Sequence, residues 1–139
     1  MNAHKFVAEH GIDKAKRVLE GAPSKAQRYF LGKYFKQGEW TWWWSSYLNK
    51  WLQFEKHIYG DSKFEIAVDL SELKQVVDSI DYLNEWYEGK IDGAYDHVER
   101  MHGMLKLKPQ FPNLHSRIKL VERHLANYEL VKANKNGEA

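Results

Sequence analysis

The chain has 139 residues, of which 43% are hydrophobic and 29% charged, with 9 Gly and 3 Pro. This composition is typical of one globular domain with its own core, and it excludes a disordered or collagen-like chain. The net charge is only +2 and there is no cysteine, which excludes disulfides, thiolate metal sites and a cysteine nucleophile and fits a reducing compartment.

The first twenty residues are predicted to be helical. The pattern over residues 3–20 indicates two short helices that are separated at Gly11, and Gly21 with Pro23 supplies a stop signal. Charged residues interrupt the stretch from residue 1 to residue 14, so it contains no continuous hydrophobic run for a signal peptide or a membrane span. We therefore expect a cytoplasmic protein with no membrane partner.

Dense aromatic residues between residues 27 and 59 predict a three-stranded antiparallel meander. The strands are expected over residues 27–35, 39–47 and 50–58. The turns between them contain Gly38 and Asn49, which tolerate the positive φ of tight hairpins. A helix over residues 40–57 is the competing interpretation, because Trp44, Leu48 and Trp51 lie roughly one helical turn apart.

The run of tryptophans in the second strand is the most unusual feature of the sequence. Side chains alternate across a strand, so Trp40, Trp42 and Trp44 share one face and Trp43 lies on the other. One face is expected to be core. Trp43 is core if helices cover both faces, which is the interpretation we favour, and it is otherwise an exposed aromatic for a partner.

Three helices are predicted after the meander. A short extended segment over residues 64–68 leads to a helix that is capped by Asp69 or Ser71 and runs to Glu88. A second helix is expected over residues 91–104, with Tyr95, Val98 and Met101 facing inward. The third is expected to begin near Asn113 and to carry an apolar stripe, which consists of Leu114, Ile118, Val121, Leu125 and Tyr128.

The predicted fold class is α+β, with short N-terminal helices, a three-stranded antiparallel aromatic meander and then three helices. We expect a single domain over residues 1–133 and a polar tail over residues 134–139. The apolar stripe of the last helix is expected to pack on its own chain, as a cover for the short strands, rather than on a second copy. The chain is expected to be a monomer or a homodimer.

The titratable residues do not form a recognisable catalytic or metal motif. The seven histidines lack metal-ligand spacing, so we expect no metal, no cofactor and no enzymatic activity. Residues 61–100 hold 11 acidic against 4 basic residues. Four of these carboxylates lie about a turn apart, as a solvated helix face or a docking face for a basic partner: Asp78, Asp81, Glu85 and Glu88.

The aromatic meander supplies the candidate binding residues. Tryptophan, tyrosine and arginine are the usual anchors of protein interfaces, whereas aromatic rings beside basic residues also stack the bases of single-stranded nucleic acid. The candidates are Arg28, Tyr29, Lys33, Trp40, Trp42, Trp43, Trp44, Tyr47, Lys50 and Trp51.

Two short motifs carry a resemblance to a known group of proteins. The segment Gly11–Pro23, which ends in E-G-A-P, and the turn Asp69–Leu73, which reads D-L-S-E-L, resemble small early-region accessory proteins of lambda-like bacteriophages of enteric bacteria. The next segment of those proteins is similarly an aromatic meander, comparable to residues 40–51 here. The resemblance covers roughly the first 95 residues and transfers no site residue. It implies a gene product of the infected bacterial cytoplasm, of a kind that often binds a host protein as an adaptor or inhibitor.

The leading functional hypothesis is therefore a non-enzymatic phage accessory protein that binds a host protein, including those of defence, restriction or recombination systems. The alternative is a single-stranded nucleic-acid-binding protein that uses the basic, aromatic meander.

Overall fold

The computed structural model describes residues 1–137, apart from the side chain of Pro112. The N-terminal half contains α1 (Ala3–His10), α2 (Ile12–Glu20), β1 (Arg28–Phe30), β2 (Lys33–Gln37), β3 (Thr41–Ser45), β4 (Lys50–Gln53), α3 (His57–Ile66) and β5 (Val68–Asp69). Three longer helices follow: α4 (Leu70–Tyr87), α5 (Ile91–Leu107) and α6 (Pro112–Lys135). The predicted α+β class, with short helices before a meander and three helices after it, is confirmed.

The sheet has five antiparallel strands in the order β4-β3-β2-β1-β5. The predicted first strand is wrong in its bounds, because residues 28–37 form a hairpin of two strands rather than one strand. The chain reverses at Leu31 and Gly32, whose φ angles are 47° and 83°. Two consecutive positive φ values match the twist of a tight hairpin. The leucine at position 31 gives no sequence signal for such a turn.

The predicted third strand is also too long, since β4 ends at Gln53 and α3 occupies the region that was expected to be extended. This helix has no side-chain N-cap, and two of its contacts are with distant parts of the chain. Gly60 packs so closely on β3 that a Cβ atom at Gly60 would lie 2.9 Å from Cβ of Thr41. Arg28 donates to the carbonyl groups of Phe64 and Glu65, at 2.9 Å and 3.3 Å.

Helices lie on both faces of the sheet. On one face, the ring of Phe6 in α1 meets Tyr29 edge-on, and the Tyr34 hydroxyl donates to the Val18 carbonyl of α2 at 2.6 Å. On the other face lies α3, at the contact between Gly60 and Thr41. The break at Gly11 is confirmed, and Gly11 has a φ of 85°.

Contacts divide the chain into two compact units, one over residues 1–75 and one from Val76 onward. The single domain predicted over residues 1–133 therefore contains two units. The predicted tail begins inside α6, which continues to Lys135, and residues 138–139 of that tail lie outside the described residues.

The predicted Asp69 cap is present at the start of α4, within the first unit, since the Glu72 amide donates to its carboxylate at 3.1 Å.

The second unit has a helical core. The inward position predicted for Tyr95 is wrong, because its ring is exposed and its hydroxyl donates to Glu129 at 2.5 Å. The α6 stripe does pack on its own chain, against residues of α4 and α5 in the same unit. The buried core residues are Leu83, Ala94, Met101, Ile118, Val121 and Leu125.

Candidate functional site

Three tryptophans and one lysine share a face at the β4 side of the sheet. Cα partners in the antiparallel ladder project to the same face, and the register pairs Lys36 with Trp42 and Trp44 with Trp51. All four side chains are half-buried, so part of each reaches solvent. We call Lys36, Trp42, Trp44 and Trp51 the tryptophan–lysine face.

The rings of this face are held in place by one another and by the lysine. Trp44 and Trp51 meet edge-to-face with centroids 5.4 Å apart, and Nζ of Lys36 lies 4.8 Å from the Trp51 centroid and 5.8 Å from that of Trp42. Each cation–π contact at a partly exposed site contributes about 0.5–1 kcal/mol. These contacts restrict the rotation of the three rings.

The opposite face of β3 is the more buried one. Thr41 and Ser45 are fully buried there, while Trp43 is half-buried and Nζ of Lys33 lies 4.5 Å from its ring centroid. Trp43 does lie on the face away from Trp42 and Trp44, as alternation requires. Its half-buried position lies between the core residue that was favoured and the exposed aromatic that was the alternative.

The charged side chains on β2, β3 and β4 are all lysines. Lys33, Lys36 and Lys50 are the basic residues of these strands, and no Asp or Glu occurs among them. Positive charge among aromatic rings favours an acidic partner.

A cleft of about 520 Å³ lies beside β4 on the Trp43 face. Its lining combines the apolar side chains of Trp43, Leu52, Phe54 and Tyr59 with the polar or charged residues Gln53, Glu55 and Lys56. Sequence reasoning missed this cleft, because it placed residues 50–58 in one strand, whereas the turn into α3 is what brings Tyr59 towards Leu52.

The other predicted binding residues lie outside the tryptophan–lysine face, and their surroundings differ. Tyr29 is buried, and Arg28 is engaged with the carbonyl end of α3 and stacked on Phe64, so neither is available to a partner. Trp40 packs edge-on against His57. Tyr47, in the turn after β3, is 95% exposed, and Lys50 is also exposed.

The predicted acidic docking residues lie elsewhere. Asp78, Asp81 and Glu85 lie on α4, and Glu88 follows the end of that helix with a φ of 53°. Asp81 is half-buried and the other three are exposed. These residues belong to the second unit, whereas the aromatic candidates belong to the first.

Two pairs of side chains resemble fragments of catalytic arrangements. Nδ1 of His57 lies 3.1 Å from the Asp61 carboxylate, which also accepts hydrogen bonds from Thr41 and Gln37. This network attaches α3 to the β2–β3 hairpin. Its hydroxyl group belongs to Thr41, which is buried and therefore inaccessible to a substrate.

The second pair joins His124 to Ser79 at 2.7 Å. Ser79 is 1% exposed, so a substrate cannot reach its hydroxyl, and the pair belongs to the core. Among residues 1–137, no group of three or more His, Asp or Glu side chains is arranged to hold a metal ion.

No helix in the described part of the chain is both long and apolar enough to cross a membrane. Comparisons of the chain with family models, with curated proteins and with solved structures find no match.

Proposed function

We propose that this chain is a non-enzymatic binding protein that recognises a partner protein through the tryptophan–lysine face. The observation that carries the proposal is the grouping of Trp42, Trp44 and Trp51 around Lys36 on one partly exposed face. Tryptophan is the residue most enriched among energetic hot spots of protein interfaces, and rings that are ordered in advance lose less entropy on binding.

The arrangement of the lysines favours a protein partner over a single-stranded nucleic acid. A base stacks on an open aromatic ring face. Lysine ammonium groups already lie over the rings of Trp42, Trp43 and Trp51. Single-stranded nucleic acid remains the alternative ligand, because the same lysines can neutralise phosphates.

The sequence resemblance supports a biological setting for this proposal. The likeness of residues 11–23 and 69–73 to phage accessory proteins implies a host protein as partner and the bacterial cytoplasm as the place of action. Under the same implication, binding would inhibit or redirect a host defence, restriction or recombination system.

The test is capture of host proteins with the tagged chain and its variants, followed by titration of the purified captured protein. We expect the double variant Trp42→Ala with Trp44→Ala to weaken binding by at least about tenfold, because hot-spot residues each contribute about 2 kcal/mol or more. Trp86→Ala is the matched control, since Trp86 lies on α4 and is 60% exposed. Circular dichroism must show that all variants are folded.

Equal binding by the folded double variant and the wild type would refute the proposed surface. Fluorescence anisotropy with labelled oligothymidylate tests the alternative. Binding that falls steeply between about 50 and 200 mM salt, with a slope that decreases in Lys36→Ala, would favour a nucleic-acid ligand instead.

A further inference from the structure

Among residues 1–137, β4 is an edge strand whose outer backbone groups pair with no other strand. Over the described residues, β4 pairs with β3 only. The Phe54 amide donates to the Thr41 carbonyl at 3.1 Å. Hydrogen bonding alternates along an antiparallel ladder, so residues 50, 52 and 54 direct their amides and carbonyls to β3. Trp51 and Gln53 direct theirs away from the sheet.

Different side chains flank this edge on its two faces. On one face lies Trp51, with the ammonium group of Lys36 4.8 Å from its ring centroid. Lys36 belongs to β2, so its side chain carries positive charge across β3 towards the edge. On the other face, Leu52 and Phe54 open into the cleft of about 520 Å³. One side of the edge therefore offers a cation, and the other offers a cleft whose apolar side chains lie beside Glu55 and Lys56.

We propose that β4 is the docking edge for an extended acidic segment of the partner protein, which adds to the sheet as a further strand. The inference rests on the proposed function and specifies the chemistry of its partner. The backbone of the segment pairs with the outward amides and carbonyls of Trp51 and Gln53. Because side chains alternate along a strand, acidic residues of the segment meet Lys36 while the apolar residues between them enter the cleft.

Charge complementarity favours this occupant over a second copy of the chain. The β4 segment Lys50–Gln53 contains a lysine and no acidic residue. Pairing β4 with β4 would bring two lysine-bearing strands and two Lys36 side chains together, and like charges destabilise such an interface. Nucleic acid is disfavoured for a different reason, since its backbone cannot continue the amide–carbonyl ladder of a sheet edge.

The first experiment uses an array of peptides of about eight residues, a length within the usual range of strands. Glutamate occupies alternate positions, and valine, leucine, phenylalanine or tyrosine occupies the others. The control array has lysine in place of glutamate. We expect the best acidic peptide to bind the whole chain at least about tenfold more tightly than its lysine counterpart, and to lose that preference in Lys36→Glu. Equal binding of the two arrays would overturn the proposal.

The second experiment tests the edge itself. Gln53→Pro removes an outward amide and places a ring at the free edge, whereas Gln53→Ala removes the side chain and keeps the amide. We expect the acidic peptide to bind Gln53→Ala within about threefold of wild type and to bind Gln53→Pro at least about tenfold more weakly. Equal binding to both folded variants would overturn strand addition.

Amide exchange measured by NMR provides a readout in the unaltered chain, should Gln53→Pro fail to fold. The amides of Trp51 and Gln53 should gain protection when the acidic peptide is added, whereas the amide of Leu52 should already be protected without it. Protection that spreads without alternation, or that is absent, would contradict the proposed mode. A dimer seen by light scattering, with protection of the same two amides at high protein concentration and no peptide, would assign the edge to a second copy.

The two proposals fail in distinguishable ways. A host protein that loses affinity for the Trp42→Ala, Trp44→Ala variant but binds Gln53→Pro normally would retain the proposed function and exclude strand addition. If the host protein binds both variants as tightly as it binds the wild type, the proposed binding face and strand addition at β4 are both excluded.

Discussion

Nδ1 of His124 lies 2.7 Å from the hydroxyl oxygen of Ser79, inside the core of the helical unit. Asn127 donates to the same hydroxyl oxygen at 2.8 Å, and the ring of Tyr82 stacks on His124 with centroids 4.3 Å apart. The imidazole is thus a buried polar group with a hydrogen-bond partner and an aromatic cover. Burial disfavours the charged form of such an imidazole, so the folded structure favours neutral His124.

Stability should decrease in acid because of this histidine. Burial lowers the pKa of His124 below its ordinary value of about 6.5, and the positive charge of Arg123 lowers it further, against an opposing effect of Asp78. Between the lowered pKa and about 6.5, the unfolded chain binds a proton that the folded chain does not. The free energy of unfolding therefore falls as the pH drops below about 6.5.

Urea denaturation at about pH 7.5 and about pH 5 measures this effect. The variant His124→Gln should be less stable by about 1–3 kcal/mol at neutral pH, because it disturbs a buried hydrogen bond. It should also lose less stability on acidification than the wild type. Identical pH dependence in both proteins would show that another group is responsible.

Leu125→Asp should unfold the helical unit. Leu125 is 5% exposed and belongs to the core between α4, α5 and α6, so the variant places an unpaired carboxylate among apolar side chains at a cost of about 3–5 kcal/mol. Leu130→Asp is the matched control on the same helix, because Leu130 is 45% exposed. Circular dichroism and light scattering compare the two, and a folded monomeric Leu125→Asp variant from a dimeric parent would contradict the intrachain packing.

Gly60→Ala should destabilise the sheet unit although alanine favours helices. The added Cβ would lie 2.9 Å from Cβ of Thr41 and 3.1 Å from Cβ of Phe54, and such overpacking costs about 1–3 kcal/mol. Gly103→Ala tests the opposite case, since no atom lies within 4 Å of its added Cβ in α5. That variant should gain about 0.5–1 kcal/mol. Thermal melts that show the same sign of change at both positions would contradict this packing.

Leu31→Asn should stabilise the β1–β2 hairpin. Leu31 is exposed and has a φ of 47°, in the left-handed region that leucine adopts at a cost. Asparagine followed by Gly32 is the preferred pair for this turn, so we expect a gain of about 1 kcal/mol in the free energy of unfolding. Urea denaturation is the measurement. Leu31→Val should lose stability instead, because a β-branched residue tolerates positive φ poorly.

The parts of the fold that the sequence predicted are those with local signals. Gly11 separates two helices because it adopts a positive φ, and Asp69 caps α4 through its own side chain. The alternation of Trp42, Trp43 and Trp44 likewise follows from the geometry of one strand. Trp40, which was predicted on the face of Trp42 and Trp44, instead lies before β3 and packs against His57.

The parts that the sequence did not predict depend on distant contacts. The turn at Leu31 requires a positive φ, and a leucine in the sequence gives no indication of that conformation. Lys36 was not among the candidate residues, because its position over Trp51 depends on the register of three strands. The cleft beside β4 depends on where β4 ends and α3 begins.

Helix α3 also has a consequence for the order of folding. It has no side-chain N-cap, and the guanidinium group that binds its last carbonyls comes from Arg28, whose side chain meets the Phe64 carbonyl across 36 positions of sequence. The local side-chain contacts within α3 are the i,i+4 pairs His57–Asp61 and Tyr59–Lys63. Such pairs contribute only about 0.2–0.5 kcal/mol each, so a ten-residue helix remains marginal in water on its own. We therefore expect α3 to form late, after the hairpins have closed and brought Arg28 and Thr41 into position, and the isolated segment His57–Ile66 to remain unstructured as a peptide.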